Sequence, residues 1–102
     1  MSDQKVIRTV VVTNPAGLHT RAATDIAKVV RGSSSKVILS KDYNHADATD
    51  VLAIVALLAL CGTQVTMEAT GPDAQQVLTA VERFFGDYEE AQRSNSGETG
   101  ED

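Results

Sequence analysis

At 102 residues the chain is long enough to close one hydrophobic core without disulfide or metal staples, and short enough that a single domain is expected. With 42% hydrophobic residues, no Trp, two Tyr and two Phe, that core must be aliphatic, built from Val, Leu, Ile and Ala. The net charge of −5 belongs to the segment from Gly86 onward, where Asp87, Glu89, Glu90, Glu98, Glu101 and Asp102 face Arg93; residues 1–85 are balanced, which argues against a nucleic-acid partner.

The opening Met-Ser-Asp-Gln-Lys shows no signal-peptide pattern, so a cytoplasmic protein is expected. Lys5 to Thr13 is a run of Val, Ile and Thr that stops at the turn residues Asn14-Pro15-Ala16-Gly17, and predicts a first strand. Thr20 to Arg31 places Ala23, Ile26, Ala27 and Val30 on one side of a helical wheel. Arg21, Thr24, Asp25, Lys28 and Arg31 fall opposite, which predicts an amphipathic helix ended by Gly32. Lys36–Ser40 and His45–Ala48 read as a strand pair joined by Lys41-Asp42-Tyr43-Asn44.

Asp50 is placed to cap a helix running from Val51 to Cys61-Gly62. Its apolar stretch, Val51 to Leu60, falls far short of the ~20 residues that span a bilayer, so no membrane insertion is expected. Cys61 is the lone cysteine, which excludes an internal disulfide and suits a reducing compartment; a small buried apolar role is expected for it. Gln64–Thr70 alternates, with Val65, Met67 and Ala69 on one face, as a half-buried strand does. Gly71-Pro72-Asp73 opens a last helix carrying Ala74, Val77, Leu78, Val81 and Phe84 or Phe85. The order is βαββαβα, one domain over residues 1–90, followed by an acidic stretch, 91–102, too polar to bury and expected to be disordered.

The chemistry lies in Asn14-Pro-Ala-Gly-Leu-His-Thr-Arg-Ala23, where a histidine follows a glycine turn at the mouth of the first helix. The first N–H groups of a helix lack intrahelical partners, and the summed peptide dipoles put partial positive charge there, so a phosphoryl group on His19 would be held. The same field favours the neutral ring, whose lone pair is the nucleophile. Arg21 offers a planar guanidinium fork to phosphoryl oxygens. An N-phosphorylated histidine is also stable enough to diffuse and labile enough to pass the group on.

Gly17-Leu18-His19-Thr20-Arg21-Ala22-Ala23 resembles the active-site stretch Gly-Leu-His-(Ala/Thr)-Arg-Pro-Ala of HPr, the histidine-containing phosphocarrier family of the bacterial phosphoenolpyruvate-dependent phosphotransferase system, and matches all but the proline. The likeness spans roughly residues 5–88, through Gly32, Gly62-Thr63 and the element order. It implies an α+β, HPr-like open-faced β-sandwich, with a four-stranded antiparallel sheet covered on one face by three helices. It also implies that His19 takes a phosphoryl group on Nδ1 from Enzyme I, itself charged by phosphoenolpyruvate, and passes it to an EIIA-type protein. The protein is then a monomeric carrier without a cofactor rather than an independent catalyst. Gly17, Thr20 and Arg21 would hold the phosphoryl group. Thr20, Arg21, Thr24 and Lys28, with Val51, Leu52 and Val55, would dock partners through a mixed apolar and basic patch.

Two positions depart from the family pattern. Ala22 replaces the proline in the first helical turn, where either residue is tolerated. Asp50 stands where many relatives carry a kinase-regulated serine, and an aspartate is no substrate for that kinase. Glu68-Ala69-Thr70-Gly71-Pro72 and the acidic end resemble the nitrogen-related branch more than the sugar-transport branch, and the branch stays open.

Taken singly, these residues also have plainer roles. Arg21 could pair with Asp25 on a solvated face, Asp50 could be an N-cap only, and His45 reads as a turn or strand-end residue. No ligand cluster with workable spacing surrounds either histidine, so no metal is expected. Two alternatives to the carrier remain: a regulatory module whose phosphorylation state controls partner proteins, and an interaction domain using the helix from Val51.

Overall fold

The computed structural model describes residues 4–86, so the expected acidic stretch, 91–102, and the end of the 1–90 domain lie outside the described residues. The elements are β1 (Gln4–Val11), α1 (Thr20–Arg31), β2 (Lys36–Lys41), β3 (Asn44–Asp47), α2 (Val51–Ala56), β4 (Gln64–Gly71) and α3 (Ala74–Glu82), followed by a 3₁₀ turn, Arg83–Phe85. The four strands lie in the order β1-β4-β2-β3, antiparallel throughout, as the βαββαβα reading anticipates.

Alternation decides which side of the sheet is covered. Val65, Met67 and Ala69 of β4 sit opposite Val10, Arg8 and Val6 of β1, and all point toward the helices. The buried stripe of α1 is Ala22, Ala23, Ile26, Ala27 and Val30, and that of α3 is Ala74, Val77, Leu78 and Val81. Burying each of the larger aliphatics among these, such as Ile26 or Leu78, contributes roughly 1.5–3 kcal/mol. Arg8 also points inward, at the edge strand, where its guanidinium reaches Glu82 Oε1 and Gln75 Oε1, both at 3.0 Å, along α3. The opposite sheet face mixes polar residues with exposed Ile7 and Val11: Lys5 pairs with Glu68 at 3.1 Å, and Ser40 Oγ lies 2.7 Å from His45 Nδ1. Among the described residues no helix is long and apolar enough to cross a membrane.

The helix from Val51 ends at Ala56, short of the expected Cys61-Gly62. Val51, Ile54 and Val55 are β-branched and weak helix formers, and Leu58 turns into the left-handed region at φ 55. Lys41 Nζ caps the end by donating to the carbonyls of Leu57 and Leu58 at 3.0 and 3.2 Å. The chain then doubles back, so Cys61, expected to be buried, is exposed, with Sγ 3.8 Å from the Thr13 carbonyl. Pro72 lies before the helix cap Asp73 rather than inside α3. Strand limits differ from those read in the sequence by a residue or two, because β1 leaves its ladder at Val11 to feed the loop that follows.

Asp73 does not cap its own helix; it accepts from Ser34 N at 3.0 Å and from the Ser35 hydroxyl, tying the α1–β2 loop to the start of α3. Gly71 makes this approach possible, since a Cβ there, at φ 154, would lie 2.6 Å from Ser35 Cα. The Ser35 hydroxyl, then the Ser34 N–H, hold the Asp73 carboxyl below its ordinary value of 3.8. A depressed native value contributes stability that is present above pH 3.8 and lost as the pH falls through the native value. Urea melts of wild type and Asp73→Asn between about pH 2 and 7 should therefore differ most at neutral pH and converge in acid. A gap independent of pH would show that the carboxylate is not the stabilising species.

Candidate functional site

Between β1 and α1 the chain runs as a loop, residues 12–19, with nearly every backbone donor engaged. Val12 extends the β1–β4 pairing, donating to Thr63 O at 2.8 Å and accepting from Gly62 N at 2.7 Å. Thr13 N and Asn14 N both donate to Phe85 O, at 2.8 and 2.9 Å. Gly17 N donates to Asn14 O and Leu18 N to Ala59 O, each at 2.9 Å. Gly17 adopts φ 72, and a Cβ on it would stand 2.8 Å from Ala59 O and 3.1 Å from Leu60 Cα. Only glycine fits, for conformation and for space.

This loop delivers His19 to the N-cap of α1, at φ −82 and ψ −172. Its Nδ1 accepts from Arg21 N at 3.3 Å, and its backbone carbonyl accepts from Ala23 N at 2.8 Å, starting the helix. An accepting Nδ1 carries a lone pair, which places the proton of the neutral ring on Nε2. Nδ1 is thus held against the positive end of a 12-residue helix.

The other expected site residues lie along α1 and at or within α2. Thr20, Arg21, Thr24 and Lys28 are exposed along α1, and Ala22 is buried beneath them. Arg31 Nη2 donates to Thr49 O at 2.6 Å, tying the end of α1 to the entry of α2. Asp50 Oδ1 accepts from Ala53 N at 3.1 Å and caps α2. Leu52 is 79% exposed, whereas Val51 and Val55 are half-buried against the core. Leu58 and Leu60, which follow α2, are 66% and 65% exposed, and the Leu60 backbone borders Gly17 of the His19 loop. Sequence reasoning missed both by placing them inside a longer helix. It also missed Asn14 as more than a turn residue.

The family model for the PTS HPr component phosphorylation site matches residues 6–87. The chain belongs to the HPr family. Phosphocarrier protein HPr of Treponema pallidum is 35% identical over 80 residues, spanning 78% of this chain and 91% of the relative. Phosphocarrier protein NPr of Escherichia coli is 36% identical over 81 residues, spanning 78% and 90%. The crystal structure of HPr from Bacillus anthracis superposes with a TM-score of 0.74 at 24% identity, over 78% of this chain and 95% of that one, which shows the shared fold. HPr proteins are phosphocarriers of the phosphotransferase system, and the fold seen here is theirs.

Within this HPr chain, Gly17→Ala should cost roughly 1–2 kcal/mol for the left-handed backbone, with the clash on Ala59 O added. The loop must then shift, so amide NMR signals of Leu18 to Arg21 should move while those of β2 and β3 stay. An unchanged His19 environment in a folded Gly17→Ala protein would show that the close approach does not set the site.

Proposed function

We propose that His19 is the phosphoryl acceptor of this phosphocarrier, taking the group from phosphorylated Enzyme I and passing it to an EIIA-type protein. The observation that carries the reading is the Nδ1 lone pair of His19 at the mouth of α1, held by the Arg21 N–H. In the transfer, that lone pair forms the new N–P bond while the donor's N–P bond breaks and its electron pair returns to the donor ring. The Arg21 N–H, no longer accepted by Nδ1, becomes available to a phosphoryl oxygen, and the neighbouring α1 N–H groups share the charge. The Arg21 guanidinium supplies further donors, with the Thr20 hydroxyl beside it, and Gly17 lets the loop lie close enough for all of them. Nothing in the step calls for a metal or organic cofactor.

Docking would use Thr20, Arg21, Thr24 and Lys28 of α1 with Val51, Leu52 and Val55 of α2, to which Leu58 and Leu60 are added. Exposed leucines on α2 and the turn after it, together with the exposed cations Arg21 and Lys28 on α1, suit an acidic partner surface and rapid exchange.

His19→Ala should abolish acid-labile labelling from phosphoenolpyruvate, Mg²⁺ and Enzyme I, read by intact mass, without unfolding the protein. Continued labelling of the folded variant would remove the assignment. Arg21→Glu should slow transfer by about ten- to a hundredfold, the equivalent of a charge-assisted hydrogen bond worth roughly 1.5–3 kcal/mol, and more than Arg21→Lys does. Equal rates for all three proteins would eliminate the guanidinium's role. Leu58→Asp should raise the apparent KM for carrier in the Enzyme I reaction and leave kcat near wild type. A fall in kcat alone would place Leu58 outside the docking surface.

A further inference from the structure

Asn14 is, among the described residues, the buried polar side chain of the protein, with 2% of its surface exposed. Its backbone N–H donates to Phe85 O at 2.9 Å, its carbonyl accepts from Gly17 N at 2.9 Å, and its side-chain Oδ1 accepts from Ala16 N at 3.0 Å. The amide Nδ2 is buried with no hydrogen-bond partner. A buried unmatched donor is a cost that an apolar side chain of similar size would avoid. Folding alone therefore gives a weak reason for a carboxamide here, and the position of the residue suggests a stronger one.

We infer that Asn14 is a positioning residue for phosphoryl transfer, its carboxamide oxygen closing the turn that aims His19; this rests on His19 being the acceptor. Two successive N–H groups, those of Ala16 and Gly17, are drawn onto one residue, and that residue is anchored to the C-terminal 3₁₀ turn through Phe85 O. Closing the turn places Gly17 in its left-handed conformation against Ala59, and Leu18 N on Ala59 O. His19 follows directly, with Nδ1 on Arg21 N. Without Oδ1 the Pro15–Ala16 peptide is held by no side chain and the turn keeps only the Gly17 N–H on the Asn14 carbonyl, so the imidazole loses its fixed approach to an incoming phosphorus. In-line attack depends steeply on that approach, whereas docking through α1 and α2 does not.

The test compares wild type, Asn14→Ala and Asn14→Ser as acceptors from phosphorylated Enzyme I, with urea melts and the ¹⁵N signals of the His19 ring. Asn14→Ala should lower kcat by about ten- to a hundredfold, keep KM for carrier within about twofold, and shift the Nδ1 signal. Asn14→Ser, whose hydroxyl can accept from the same turn more weakly, should recover part of both. An unchanged kcat in folded Asn14→Ala overturns the inference, as does a loss that merely follows the unfolded fraction. If His19→Ala blocks labelling while Asn14→Ala behaves as wild type, this inference falls and the acceptor assignment stands. Labelling of wild type at a residue other than His19 overturns both.

Discussion

The contact of Gly17 and Leu18 with Ala59 is the constraint from which most of the site follows. It joins two backbones with no side chain between them: Leu18 N donates to Ala59 O at 2.9 Å, and the space beside Gly17 is too small for a Cβ. For Ala59 to be there, α2 must stop at Ala56 and the chain must turn back through Leu58, a left-handed leucine whose neighbouring carbonyls are capped by Lys41. For Gly17 to be there, β1 must leave its ladder at Val11 while Val12 keeps the alignment through Thr63 and Gly62. Strand register, helix length and a strained leucine thus all converge on the approach of one loop to another.

That convergence also explains which parts could be read in the sequence. The period-two alternation of Gln64–Thr70 and the apolar stripe of Thr20–Arg31 each follow from local geometry, so element order and core were legible there. The His19–Arg21 stretch was legible for a similar reason, because a turn glycine, a histidine and a helix start are adjacent in the chain. The end of α2 was not, since the Lys41 ammonium that caps it comes from another strand and no propensity reports it. Cys61, Leu58 and Leu60 were misplaced with it, as their exposure depends on where that helix ends. Asn14 looked like an ordinary turn residue because the chain that anchors it, through Phe85 O, is distant in sequence.

A phosphocarrier has to present its reactive group to other proteins of the phosphotransfer chain while keeping that group's geometry constant. The structure separates these demands. Rigidity comes from the backbone bonds of residues 12–18 and from a core in which Ile26, Ile54 and Leu78 are fully buried. The exposed side chains of α1 and α2, Lys28 and Leu52 among them, form no part of that core, while Val29, Val51, Ala53 and Val55 are half-buried against it. Exposed residues such as Leu52 or Lys28 can therefore vary with the partner at little cost in stability, while Gly17 and Ala59 cannot.

The same separation assigns a physical role to the capping of α2. A helix of six residues is too short to persist through propensity and owes its form to packing and to its ends. Asp50 supplies one end, its carboxylate accepting from Ala53 N and meeting the positive helix terminus, an effect of about 0.3–1 kcal/mol. Lys41 supplies the other, its ammonium on the carbonyls of Leu57 and Leu58. Opposite charges at opposite ends follow the sense of the helix dipole, so both hold the turn that displays Leu52 and releases Ala59 toward Leu18. Through that turn, the charge pattern of a short helix reaches the backbone contact that leads into His19.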